Sequence, residues 1–197
     1  LPESASVPHV AQVMSTRSKE KQKHPNRILF EGLLTRLDQP SDKPPNGSRG
    51  HRVILTKRAA EDSLHTLRDM PIGFKANWDG HDARLRCGVI TEAWIVGDEL
   101  WVSGSIFGRD FPEVARAISE PTSELGMSYE LCDAHVADMR AAVWTLNRVT
   151  FTGAAILLAA KAAYRSTRVA IDAQATERIV LTGVVRIGRR SRPAADR

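Results

Sequence analysis

A β-rich α+β chain is what this sequence predicts, on three observations. Short runs rich in β-branched and aromatic residues recur along it, as at 27–37, 51–56, 86–96 and 100–107. Gly97-Asp98 sits between two such runs, with Leu100, Val102 and Ile106 on one face of the second, the mark of an antiparallel hairpin. Only a few stretches carry helical spacing, and prolines close two of them.

In chain order, residues 1–26 are polar and unpatterned, with Pro2, Pro8 and Pro25, and read as a flexible arm in which Met14 is a candidate start. Residues 27–37 form a first strand. DQPSDKPPNGSRG at 38–50 is a loop by composition, because proline and glycine interrupt regular structure on both sides. HRVILT is a short strand, and Thr56 then caps a helix over 57–70, with Ala60, Leu64 and Leu67 on one face and Pro71 at its end. Residues 72–78 lead into an Asp79-Gly80 turn, with His81 directly after it. Past the 86–107 hairpin, Asp110 and Glu113 resemble a capping box opening a helix over 111–119, closed by Pro121. Residues 124–131 are strand-like, 132–140 a polar connection and 141–152 a long strand, so that residues near 147–151 are expected beside Ser128. GAAILLAAKAAY at 153–164 has the strongest helix propensity of the chain. RIVLTGVVRI at 178–187 is a further strand candidate, giving an organisation of arm 1–26, domain 27–168 and basic extension 169–197.

Composition bounds the function. The chain has 197 residues, 42% of them hydrophobic, enough for one core, and no apolar run approaches the ~20 residues of a membrane-spanning helix. No secretory signal pattern opens it. Cys87 and Cys132 have no CxxC or metal-ligand spacing, so they are expected to be free, core-lying thiols, and neither metal nor cofactor is expected. The net charge of +5 is concentrated at the ends: residues 178–197 hold six arginines against Asp196 alone, and the N-terminal arm carries Arg17, Lys19, Lys21 and Lys23. Such ends bind nucleic acid or acidic surfaces, or are simply solvated. No aromatic residues interleave with them to make a single-strand platform.

Ser128, in LGMSYEL, is a hydroxyl set on a β-rich run just after a glycine, which fits a nucleophile mounted on a sheet. A serine hydroxyl is weak at neutral pH and needs a base, for which His81 in WDGHD is the best candidate. Asp79 and Asp82 flank it but lie too close in sequence to aim at its ring. His51, His65 and His135 read as structural, and the four tryptophans as packing.

The order of these features, Gly80-His81-Asp82, then Gly88-Val89-Ile90 with LWVSGSIF, a helix, LGMS and finally a VTFTGAA strand, resembles the prohead (capsid maturation) serine proteases of tailed phages, a family related in fold to the herpesvirus assemblins. The resemblance covers roughly residues 27–164. It implies a closed or partly closed antiparallel β-barrel surrounded by helices, with Ser128 as nucleophile and His81 as general base. It also implies cleavage of scaffold and capsid proteins, and of the chain itself, in an assembling prohead within the host cytoplasm, by a homo-oligomer with no membrane association. The family's third catalytic position falls on Arg148, which cannot accept the imidazole proton. Asn147 and Thr150 are the alternative orienters, and a dyad or a weakened copy is the other outcome. Two further readings stand beside the protease: a catalytically silent barrel acting as a capsid assembly scaffold, and a nucleic-acid-binding barrel suggested by the basic ends.

Overall fold

The computed structural model describes residues 24–171. Its elements are β1 (Arg27–Arg36), β2 (Arg52–Leu55), α1 (Lys57–Ser63) running into a 3-10 turn (Leu64–Leu67), β3 (Pro71–Phe74), β4 (Arg86–Val96), β5 (Glu99–Phe107), α2 (Pro112–Ser119), β6 (Leu125–Val136), β7 (Val143–Leu158) and β8 (Arg168–Ile171). All eight strands belong to one curled sheet in the order β2-β7-β3-β4-β5-β1-β8, with β6 on the other edge of β7.

The sheet is mixed and not purely antiparallel, because β2 and β3 both run parallel to β7. Sixteen residues long, β7 is the spine: β6 pairs along one edge while β2 and β3 occupy opposite ends of the other. Among the described residues no ladder joins β8 to β6, so the barrel is not closed by strand pairing. The seam is held by a side chain, Thr167, whose buried Oγ1 accepts from the Met127 N–H at 3.2 Å and donates to the Tyr164 carbonyl at 2.9 Å. It fits because Gly126 has no side chain there: a Cβ at that position would stand 2.5 Å from Thr167 Oγ1. Two α-helices and one 3-10 turn flank the described sheet, fewer than a ring of helices. Phe30, Leu34, Ile72, Phe74, Ile90, Leu100, Ile106, Met127, Phe151 and Ile156 fill its interior.

Several local expectations match. Thr56 caps α1, its hydroxyl accepting from the Ala59 N–H at 3.2 Å, and Gly97 (φ 62) turns the β4–β5 hairpin. The helix after Thr56 ends sooner than expected, becoming 3-10 at Leu64. At α2 the N-cap is Phe111 with no side-chain bond, and Asp110 instead accepts from the Asn26 amide at 2.7 Å; Pro112 in the first turn needs no N–H partner.

The largest correction concerns residues 153–164. They form the last six residues of β7 and the turns after it, not a helix. Alanine favours a helix only weakly as a prior, whereas Ala154 and Ile156 on one face and Ala155 and Leu157 on the other are all buried between β6 and β3. A second correction follows from β6, which continues to Val136 through the stretch expected to be a connection. The turn therefore lies at 137–142, and Ser128 pairs with Ala155, not with residues 147–151. The 178–187 strand candidate and most of both basic ends lie outside the described residues, while β8 falls at the junction of domain and extension.

Candidate active site

The outward face of β6 carries the site. Met127 and Tyr129 point into the interior, the latter packed edge-on against Phe151 at 6.1 Å, so alternation turns Ser128 and Glu130 outward on the same face. Residues two apart on a strand are separated by roughly 7 Å. Ser128 is half-buried, and among the described residues its hydroxyl makes no hydrogen bond.

His81 comes to this face on the loop between β3 and β4. Phe74 N–H donates to the Leu85 carbonyl at 3.2 Å, closing the loop at its base, and Trp78 turns the chain with φ 56. Lys75 and Asp79 pair at 2.8 Å, and the Asn77 amide donates to Asp79 at 2.7 Å, so that acid serves the loop. Asp82 is likewise committed, to Arg84; those hydrogen bonds hold its carboxyl down at about 2. Neither flanking acid reaches the imidazole.

Glu130 does. His81 Nδ1 lies 3.1 Å from Glu130 Oε1, in a pair whose side chains are 27% and 19% exposed. A carboxylate can only accept, so Nδ1 carries the proton and Nε2 is the nitrogen left to take one. Arg86 on β4 donates from NH1 to both Glu130 oxygens, at 3.0 and 3.1 Å, and from Nε to the Ala83 carbonyl at 3.1 Å. Burial pushes the Glu130 carboxyl up, but hydrogen bonds from His81 and Arg86 outweigh it and leave the group below its ordinary value.

Room for this bridge comes from small residues. Arg86 pairs in register with Gly73, Gly73 with Ala155, and Ala155 with Ser128, so one row crosses four strands with nothing larger than a methyl group between its ends. A Cβ on Gly73 would stand 3.0 Å from Arg86 NH1. On Gly153, opposite Glu130, a Cβ would stand 3.1 Å from Glu130 Oε2 and 2.9 Å from the Pro71 carbonyl.

The residues proposed for the third position lie elsewhere. Arg148 pairs with His135 on the exposed part of the β6–β7 ribbon, and Asn147 Oδ1 accepts from His135 Nδ1 at 2.6 Å. Thr150 pairs with Cys132. None of the three is bonded to His81. The family pattern points to the later strand for the orienter, yet strand alternation from Ser128 by itself puts the Glu130 carboxylate on the same face. Cys87 is buried as expected, and burial pushes its thiol up to about 12, whereas Cys132 is exposed, correcting its expected core position. No cluster of three or more His, Cys, Asp or Glu residues with metal-binding geometry occurs among the described residues.

This arrangement has the parts of a general-base site: a carboxylate, an imidazole oriented by it and a free hydroxyl on the same face. Among solved structures the chain is similar to the capsid assembly protease of bacteriophage T4, at 12% identity and a TM-score of 0.40, over 66% of this chain and 97% of that one. No protein-family model matches the sequence, and no curated protein matches it.

Proposed function

We propose that this chain is a serine endopeptidase in which Ser128 is the nucleophile, His81 the general base and Glu130 the carboxylate that orients the base. The observation that carries the reading is the His81 Nδ1–Glu130 contact at 3.1 Å, beside a serine two residues away on the same strand face. Glu130 fixes the tautomer that leaves Nε2 basic and offsets the charge of the imidazolium formed when the serine proton is taken. Hydrogen bonds from His81 and Arg86 hold the carboxyl below its ordinary value, which favours the ionised, accepting form. Attack then joins Ser128 Oγ to the scissile carbonyl carbon. The imidazolium returns its proton to the leaving amine, and water hydrolyses the acyl-enzyme by the same base.

The substrates in this reading are scaffold and capsid proteins, cleaved in the assembling prohead of a tailed phage by a homo-oligomer. It rests on the sequence resemblance carried by GHD, LGMS and VTFTGAA. In place of the family's late-strand residue, this chain uses an acid from the nucleophile strand itself. The test is to incubate the purified chain with a capsid-protein precursor and sequence the new N-termini. Wild type generates them, and Ser128→Ala, with an unchanged circular dichroism spectrum, does not. Equal processing by both proteins overturns the assignment.

A further inference from the structure

Between the His81 loop and α2 lies an open cavity of about 530 Å³. Phe74, Trp78, Leu85, Phe111 and Ala117 form its apolar walls, and all but Phe74 keep part of their surface exposed. The aromatic walls are fixed against one another, with Phe74 5.4 Å from Trp78 and edge-on to Phe111 at 5.7 Å. Its polar lining is Asp110, Glu113 and Glu120 against Arg116 alone. Asp110 is held by Asn26, whereas Glu113 and Glu120 form no ion pair among the described residues. An apolar trough with an acidic edge fits an extended segment that combines branched apolar side chains with arginine.

The chain contains such a segment. RIVLTGVVRIGRR at 178–190 has six branched apolar residues and four arginines without one acid. Its attachment point is near at hand, since β8 ends at Ile171 and packs beside α2, the helix that walls the groove. The 13 residues from 172 to 184 span up to about 45 Å when extended, ample to reach the trough. We propose that residues 178–190 dock in cis into the Trp78–Phe111 groove, apolar side chains on the aromatic walls and arginines against Glu113 and Glu120. The docked segment braces the loop that carries His81, because Trp78 belongs to both.

Covalent capture in the full-length chain tests this without reference to proteolysis. In a Cys132→Ser background, which removes the exposed native thiol, Ala117→Cys is paired with Val184→Cys and treated with a short bis-maleimide at low protein concentration. An intrachain link mapped by mass spectrometry is expected. Its yield should be at least about tenfold above that of a Met139→Cys/Val184→Cys control on the exposed β6–β7 turn. Adding Glu113→Arg and Glu120→Arg should remove most of that excess, with folding checked by circular dichroism. Equal yields at groove and control, a yield indifferent to rim charge, or a link formed only between molecules each overturn cis docking. Because the readout is a cross-link, it stands or falls separately from the Ser128 assignment.

Discussion

At the scale of single residues, the proposed function leans most heavily on Glu130, which contacts both His81 and Arg86. Glu130→Gln keeps the size but lets the side-chain amide donate to Nδ1, favouring the wrong tautomer, so turnover should fall roughly 10³- to 10⁴-fold with little change in KM. His81→Ala should cost a comparable factor. Arg148→Glu, on the exposed ribbon, should leave turnover unchanged and stability within about 0.5 kcal/mol, as measured by steady-state kinetics and chemical denaturation. Glu130 also sets a pH dependence. Its folded-state carboxyl lies below its ordinary value of about 4.3, so the unfolded state binds the proton more readily. The associated stability is fully present above about pH 4.3 and is lost as pH falls through the folded-state value. Denaturation midpoints between pH 6 and 3 should therefore drop more steeply for wild type than for Glu130→Gln.

At the scale of elements, β7 and its partner β6 set where the candidate site lies, and theirs is the pattern least legible in the sequence. The β4–β5 hairpin and the Thr56 cap were legible because each depends on adjacent residues: a Gly-Asp turn between alternating runs, and a hydroxyl at the first turn of a helix. In β7, burial on both faces erases alternation and leaves an alanine-rich run that reads as a helix. In β6 the opposite happens. Cys132 to His135 are exposed on both faces, so the strand looks like a connection. Ser128 and His81 are candidates from their local setting and the family resemblance, whereas the partner of His81 depends on register between distant segments, which local pattern does not carry. Gly153 offers an element-scale prediction. Gly153→Val would push a side chain against the Pro71 carbonyl and Glu130, so it should cost about 1–3 kcal/mol in urea denaturation and disturb the His81 contact as well.

For the whole molecule, no ladder joins β6 to β8 among the described residues, and Thr167 is hydrogen-bonded across that seam. Thr167→Val preserves shape but leaves the buried Met127 N–H without its acceptor, which should cost about 1–3 kcal/mol and speed amide exchange at Met127. The same sheet brings β4, β3, β7 and β6 side by side, so that Arg86 and His81 meet Glu130 from 44 and 49 residues away, on the strand that also carries Ser128. The most direct test of that convergence is the rate at which a serine-directed fluorophosphonate modifies the folded chain, with the adduct mapped by mass spectrometry. Wild type should carry a single adduct on Ser128, His81→Ala essentially none, and Glu130→Gln one that forms at least about a hundredfold more slowly. A folded wild-type chain that takes up no label at Ser128, or three proteins labelled at one rate, would contradict the account.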